Sequence, residues 1–392
     1  MINRRGFRLT TLFTEFFNSE KAGGIILLCC TLFSIWMANG QWGDRYTHFW
    51  HMHVNLSFSV IQLDYSLEEW INDGLMTIFF LMVGLEIERE LYAGELSNKK
   101  NVLMPVAAAI GGMLVPGLIH FGFNHGTITQ PGIGIPMATD IAFSLGILSL
   151  LGNRVPPALK VFLAALAIID DLGSVILIAI FYTKGFSLAY LSGSLALFLL
   201  LLILRKTKVY ALWIYLVLGI CMWYCMLKSG VHPTVSGVLL AFAIPFTKHA
   251  DSPSRRLQQA LHFPVNNLII PVFALANTGI HLADEWYRRL ESGHELGIMT
   301  GLVLGKPLGI FIACWLAVKL NMSALPEAVS WKILLGTGML AGIGFTMSIF
   351  ISNVAFPGNR ELIEDSKMAV LMGSLLAAVA GLFALRLATR RK

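Results

Sequence analysis

Two adjacent carboxylates, Asp170 and Asp171, lie in the middle of an apolar stretch that runs from about Ala158 to Tyr182. A charge at the centre of a membrane helix costs about 2.5–3.5 kcal/mol on insertion scales, so such residues are rare and face a partner or a cavity. Two neighbouring carboxylates should titrate as a coupled pair, and their oxygen atoms suit a small hard cation. The pair predicts a site for a small cation or for protons. The alternative is a packing role in which both acids pair with basic groups on neighbouring helices.

A lysine, Lys306, lies in the middle of a second apolar stretch and is followed directly by Pro307. A lysine buried in this way stays charged only if a carboxylate compensates it. Asp170 or Asp171 is its natural partner.

Two of the apolar stretches contain residues that interrupt a helix. Pro136 precedes Thr139 and Asp140 in one of them, and the other carries two glycines and two hydroxyl residues between positions 342 and 348. Proline removes a backbone donor, and irregular backbone at membrane depth is tolerated only against protein or a water-filled cavity. We therefore expect Thr139 and Asp140 to face the carboxylate pair.

The composition is that of a membrane protein. Of the 392 residues, 56% are hydrophobic and only 13% are charged, whereas a soluble domain has about 25% charged residues. Twelve apolar runs, each of about 17–25 residues, are long enough to cross a bilayer as helices. The sequence predicts an all-α polytopic membrane protein with twelve transmembrane helices and no separate soluble domain.

The basic residues determine the predicted topology. The net charge is +6, and most of the 29 lysines and arginines lie in alternate connections. This bias follows the positive-inside rule and places both termini in the cytoplasm, so the excess of positive charge is a topology signal and not a nucleic-acid-binding surface. The five cysteines fall within apolar spans at spacings that indicate neither a disulfide framework nor a zinc site.

The chain divides into three predicted regions: residues 1–22 as an interfacial cytoplasmic segment, 23–387 as a single integral membrane domain, and 388–392 as a basic cytoplasmic tail. Within the membrane domain, residues 101–182 and 296–387 each contain three spans with an interrupted middle member. The first set begins inside and the second outside, which predicts an inverted-topology repeat whose two discontinuous helices cross at the membrane midplane.

Residues 51–65 have the only strand-like pattern in the chain. Apolar side chains alternate with polar ones from Val54 to Val60, and again after a shift of phase from Ile61 to Tyr65. Two short alternating runs predict a β-hairpin on the outside face. An isolated hairpin is marginally stable, so it should pair with the same hairpin of a second subunit or pack onto its own loops.

Charged residues near two span ends are weaker candidates for a function. Glu86 and Glu90 share one face of span two, with Arg89 one turn from Glu86. They form either a functional group or an ordinary charged helix end. His232 lies near the outer surface and titrates in the physiological range, although a lone interfacial histidine commonly has no further role.

Taken together, these residues closely resemble one family, the NhaA-type sodium/proton antiporters, itself a known example of inverted-topology repeats. The similarity covers nearly the whole chain and is carried by Trp70–Gly74, Gly84–Glu86, Ala138–Phe143, Ala167–Gly173, Lys228–His232, Gly305–Gly309 and Gly342–Ser348.

The resemblance implies an electrogenic exchanger in the bacterial inner membrane that imports protons and expels Na⁺ or Li⁺. The resemblance also implies a secondary transporter rather than an enzyme, which would need no cofactor and would form a homodimer through the outer hairpin. Asp171, with Asp170, would bind the cation and the protons. Thr139, Asp140 and Lys306 would stabilise the crossed helices and compensate charge. The pH-sensing candidates are Glu86, Arg89, Glu90, His232, Arg255 and Arg256.

One stretch departs from the family pattern, which has an acidic residue and a histidine where this chain has Gln258 and Gln259. Amides do not titrate in this range, so we expect a shifted or shallower pH response with the transport residues unaffected.

Three other functional classes compete with this interpretation. A sodium-coupled symporter for organic solutes should have a roomier polar cavity. An intramembrane aspartyl protease should carry its two acids on separate helices. A scaffold or receptor needs no buried charge.

Overall fold

The computed structural model describes residues 20–58, 61–94, 99–183, 185–247, 252–281, 290–326 and 328–389. Most of the predicted segment 1–22, and residues 390–392 of the predicted tail, lie outside these ranges. We name the two faces of the molecule from the charge distribution of the sequence: the outer end carries the hairpin, and the inner end is opposite.

The described chain is mainly helical, with one small sheet. Its helices are α1 (Glu20–Ala38), α2 (Gly43–Trp50), α3 (Leu67–Ala93), α4 (Lys99–Asn124), a 3₁₀ helix (Gln130–Met137), α5 (Ile141–Ser149), a short 3₁₀ turn (Gly152–Arg154), α6 (Pro157–Phe181), α7 (Leu188–Lys206), α8 (Leu212–Ser229), α9 (Thr234–Ala243), α10 (Pro253–Asn277), α11 (Gly293–Lys319), α12 (Trp331–Ala341), α13 (Phe345–Ala355) and α14 (Arg360–Ala388). The strands are β1 (His53–Asn55) and β2 (Asp64–Ser66).

The helices account for a multi-pass protein but not directly for the predicted number of crossings. Among the described residues, nine helices are long and apolar enough to cross a membrane, and counting each of two bent helix pairs as one span gives up to eleven. A further apolar helix, α9, has ten residues. The prediction of a polytopic helical protein is therefore confirmed, whereas the number twelve stays a prediction.

The predicted hairpin is present. β1 and β2 pair antiparallel, with Val54 opposite Tyr65, and an isolated bridge joins Phe58 to Ile61. The Trp70 indole, at the start of α3, donates to the carbonyl oxygen of Val54 at 3.2 Å and packs edge-on against Tyr65. Glu69 and Ser66 form a reciprocal capping box at the same junction. The hairpin is thus anchored on the outer end of α3 of its own chain.

The two predicted interruptions are real breaks in the helices, and they meet. The 3₁₀ helix that contains Pro136 ends before Ala138, and α5 begins at Ile141. A bend of 47° separates α12 from α13. At Gly344, between these helices, a β-carbon would lie 2.1 Å from Oγ of Ser348 and 3.1 Å from the carbonyl oxygen of Ala138. Only glycine leaves room for the two breaks to touch here.

Small residues also bring α4 and α11 together. A β-carbon on Gly111 would lie 2.2 Å from the carbonyl oxygen of Gly309, so the two backbones are in contact at this point. Membrane helices associate closely through such residues, because hydrocarbon offers no hydrophobic driving force between them. The contact places Lys306, one turn before Gly309, beside the broken segment.

Candidate functional site

Asp170 and Asp171 occupy the centre of α6 and are fully buried, with exposed fractions of 0% and 1%. Consecutive residues on a helix point about 100° apart, so the two carboxylates have different neighbours. Oδ2 of Asp170 accepts a hydrogen bond from the Thr139 hydroxyl at 2.8 Å and lies 2.7 Å from Nζ of Lys306. Within the described part of the chain, Oδ1 of each carboxylate has no hydrogen-bond partner.

Lys306 is the cation that compensates Asp170. Its side chain is fully buried, and Nζ also donates to the carbonyl oxygen of Met137, the last residue of the 3₁₀ helix. A π-helical turn, Gly301–Gly305, immediately precedes it in α11. Such turns are frequent at functional sites, and this one ends where the lysine begins. The contact assigns Lys306 to Asp170 rather than to Asp171.

Asp171 faces a cavity of about 220 Å³ that lies towards the inner end. The wall of this inner cavity includes Glu86 and His262 near the inner end, and Asp140 and Thr346 beside the breaks. A carboxylate in this place can exchange ions or protons with the cavity, whereas the neighbouring Asp170 is held in an ion pair.

Asp140 joins the two breaks. One of its carboxylate oxygens, Oδ1, caps α5 by accepting from the backbone N–H of Phe143 at 2.9 Å. The other, Oδ2, accepts from the backbone N–H and the hydroxyl of Thr346 at 3.1 and 2.5 Å, at the start of α13. The backbone N–H of Asp140 donates to the carbonyl oxygen of Ile343 at 2.7 Å. These bonds satisfy backbone groups that the broken helices would otherwise leave without partners.

Thr139 links the same region to the carboxylate pair. Its hydroxyl lies 2.8 Å from Oδ2 of Asp170 and 2.9 Å from the carbonyl oxygen of Ala341. The structure thus brings together five predicted residues, Thr139, Asp140, Asp170, Asp171 and Lys306, from α6, α11 and the broken segment.

The pH-sensing candidates lie in different places. At the inner end of α3, Nη2 of Arg89 lies 2.8 Å from Oε1 of Glu90 and 3.6 Å from Oε1 of Glu86. Arg255 and Arg256 lie in the first turns of α10, which contains the buried Gln258 and the exposed Gln259.

His232 lies at the opposite, outer end, in the connection between α8 and α9. Its Nε2 is 3.4 Å from Oδ1 of Asp73, and its Nδ1 is 2.8 Å from the Thr234 hydroxyl. Burial lowers the pKa of His232 to about 4, so the ring is neutral near pH 7. It faces a large cavity of about 710 Å³, the outer cavity, which also touches the hairpin.

Sequence reasoning missed a buried ion pair at the inner end. Glu88 is completely buried; its Oε1 lies 3.0 Å from Nη2 of Arg205, and its Oε2 accepts from the Ser254 hydroxyl at 3.0 Å. The pair joins α3 to the end of α7 and the start of α10. A signal was present in the sequence, because Glu88 lies two residues from both Glu86 and Glu90 and therefore on a different face of the helix from the one they share.

The breaks, the buried carboxylate–lysine pair and the inner cavity define a membrane transporter with a charged site within its helices. The family described as Na⁺/H⁺ antiporter 1 matches residues 14–385. A Dechloromonas aromatica protein named Na(+)/H(+) antiporter NhaA is 54% identical over 378 residues, which is 95% of each chain. A protein of the same name from Cytophaga hutchinsonii is 51% identical over 97% of this chain and 96% of its own length. An Escherichia coli NhaA is 46% identical over 96% of this chain and 98% of its own length.

The chain belongs to the Na⁺/H⁺ antiporter 1 family, and the resemblance predicted from its motifs is confirmed. It is a multi-pass bacterial membrane protein and a secondary transporter rather than an enzyme.

Proposed function

We propose that this protein exchanges cytoplasmic Na⁺ or Li⁺ for external protons, and that Asp171, with Asp170, binds both. The observation that supports this most directly is the asymmetry of the two carboxylates. Asp170 is paired with Lys306 at 2.7 Å, whereas Asp171 faces the inner cavity. The relatives are named Na⁺/H⁺ antiporters, which points to the same pair of ions.

The mechanism is competition for one set of oxygen atoms. A small cation needs oxygen ligands, which the Asp171 carboxylate, Asp170, the Thr139 hydroxyl and water supply. Protonation of Asp171 removes the charge that holds the cation, so the cation and the protons exclude each other. Alternating access then converts this exclusion into exchange. The exchange is electrogenic because a second proton accompanies the one on Asp171: the Asp170–Lys306 pair takes it up as the cation leaves Asp170, so two protons enter for each Na⁺ expelled.

The architecture supports this proposal through its breaks. In this proposal, residues 101–182 and 296–387 form the inverted repeat, α9 is one of twelve crossings of the inner membrane, and both termini lie on its cytoplasmic side. Half-helix ends bring partial charges into the membrane, positive at N-termini and negative at C-termini. Asp140 at the start of α5 and Lys306 beside the end of the 3₁₀ helix compensate them.

We assign regulation by pH to the inner end, where Glu86 lines the inner cavity, Arg89 lies 3.6 Å from Glu86 and 2.8 Å from Glu90, and Arg255 and Arg256 lie in the first turns of α10. His232, the remaining candidate, is separate from this group and faces the outer cavity. The outer hairpin is the proposed contact between two subunits of a homodimer.

The test of the proposal is proton flux in everted vesicles on addition of NaCl, LiCl or KCl between pH 6 and 9. Na⁺ or Li⁺ should dissipate the pH gradient in the wild type, and Asp171→Asn should abolish this response without loss of the folded protein. Glu295→Gln is the matched control, because Glu295 is a buried carboxylate at 3% exposure near the outer end of α11. Sodium-dependent flux retained in Asp171→Asn would refute the assignment.

A further inference from the structure

Three helical spans reach from the inner cavity to the outer cavity, and each contributes to the barrier between them. α3 lines the inner cavity with Phe79, α10 with Ile270 and α13 with Met347. The same three spans line the outer cavity with Asn72, Asn277 and Asn353, which we call the amide triad.

Between the two cavities each span places one phenylalanine. Phe80, Phe273 and Phe350 have exposed fractions of 0%, 1% and 0%. The ring centroid of Phe350 lies 5.5 Å from that of Phe80 and 6.4 Å from that of Phe273. This aromatic layer lies, along each span, between the residue that lines the inner cavity and the asparagine that lines the outer cavity, and Phe350 itself also lines the outer cavity.

The amide triad is a connected cluster. Nδ2 of Asn277 donates to Oδ1 of Asn72 at 2.9 Å, and Oδ1 of Asn277 accepts from Nδ2 of Asn353 at 2.5 Å. Asn277 is nearly fully buried at 1% exposure and also donates to the carbonyl oxygen of Phe273 at 3.0 Å. Asn72 belongs to a π-helical turn, Trp70–Leu75, of α3. The three amides thus converge from three separate spans.

One oxygen atom of the cluster lacks a partner. Oδ1 of Asn353 is buried and, within the described residues, accepts no hydrogen bond. A buried polar atom without a partner destabilises a protein, so it calls for an explanation. Asn353 lines the outer cavity, and amide oxygens are good ligands for hard cations, so a cation is a suitable partner for this atom.

We propose that Asn72, Asn277 and Asn353 form an outer coordination site for the transported alkali cation. The cation occupies it after passing the aromatic layer and before entering the outer cavity. This inference rests on the proposed exchange and adds a second set of ligands to it. Neutral amides suit such a place, because conduction requires binding strong enough for entry and weak enough for exit.

The experiment compares the two faces of the membrane. Right-side-out vesicles measure the Na⁺ concentration for half-maximal exchange at the outer face, and everted vesicles measure it at the inner face. Asn353→Leu should raise the outer value about tenfold, which corresponds to ~1.4 kcal/mol. The inner value should stay within about twofold, because Asp170 and Asp171 are unchanged.

Asn353→Asp separates coordination from packing. Both Leu and Asp remove the N–H that Asn353 donates to Asn277, but only Asp keeps the oxygen ligands. If the amides coordinate the cation, the half-maximal Na⁺ concentration at the outer face should be equal to or below that of the wild type in Asn353→Asp. If the cluster is purely structural, this concentration should rise equally in both variants. Asn72→Leu and Asn72→Asp provide a second pair if Asn353→Leu does not fold.

Asn124→Leu is the matched control. Asn124 is a buried asparagine at 2% exposure near the outer end of α4, where it donates to the carbonyl oxygens of His120 and Gly293. Three results would overturn the amide site. The control raises the half-maximal Na⁺ concentration at the outer face as much as Asn353→Leu does, the Leu and Asp variants raise it equally, or neither variant changes it. Absence of exchange in the wild type from either face would instead refute the proposed function.

Discussion

Replacing Lys306 with methionine should destabilise the protein strongly. The substitution keeps an unbranched side chain, one atom shorter, but removes the charge that compensates Asp170, and both residues are fully buried with Nζ 2.7 Å from Oδ2. Removing one partner of a buried ion pair costs about 3–5 kcal/mol, because the remaining charge is left uncompensated. In this site Asp170 would keep only the hydrogen bond from Thr139, and the carbonyl oxygen of Met137 would lose its donor.

A double variant tests whether the cost arises from the pair. In Lys306→Met with Asp170→Asn, neither member of the pair is left as an unpaired charge, so the loss should be smaller than the sum of the two single losses. The non-additivity should fall within about 0.5–3 kcal/mol, the range for residues in contact. Lys319→Met is the control, because Lys319 is exposed near the end of the same helix and lies over the Trp315 ring; it should cost no more than about 1 kcal/mol.

The assay is chemical denaturation in mixed detergent micelles, followed by intrinsic fluorescence, with the thermal midpoint as a second readout. If Lys306→Met unfolds within about 1 kcal/mol of the wild type, or if the two single losses simply add, then the ion pair does not carry the stability assigned to it.

Three further predictions concern other contacts. Arg205→Met should destabilise the protein by about 3–5 kcal/mol in the same denaturation assay, because it leaves Glu88 buried without its cation. The control Arg256→Met, at an exposed arginine, should stay within about 0.5 kcal/mol of the wild type. Equal losses in the two variants would contradict the role of the Glu88–Arg205 pair. Thr139→Val removes the hydroxyl that donates to Asp170, so it should cost about 1–3 kcal/mol and weaken Na⁺ binding in everted vesicles. Thr183→Val is the control: its hydroxyl donates to the carbonyl oxygen of Ala179, in the last turn of α6, and its loss should leave binding unchanged. Burial lowers the pKa of His232 to about 4, whereas the value in an unfolded chain is about 6.5. The unfolded state therefore binds a proton first, and stability should be lost as pH falls from 6.5 towards 4. His232→Gln should remove up to about 3 kcal/mol of this pH dependence. Identical pH–stability curves would refute the assignment.

The local features of the fold could be predicted from the sequence. Apolar runs indicated the membrane helices, and the alternation around Val54 indicated the hairpin, because both patterns depend on neighbours along the chain. Pro136 and the glycines between 342 and 348 marked the breaks for the same reason. The exact number of crossings could not be counted, since α9 has only ten residues and two helix pairs are bent.

By itself, the sequence determined that charged groups had to be compensated inside the membrane, because Asp170, Asp171 and Lys306 stand in stretches too apolar to lie in water. Only the tertiary structure decided that Lys306 meets Asp170, that Asp171 faces the inner cavity, that Arg205 reaches Glu88 and that three asparagines converge. Each of these contacts joins residues that are far apart in the chain. The physical reason is that hydropathy and periodicity report what one helix buries, whereas the choice of partner depends on how several helices pack and rotate against one another.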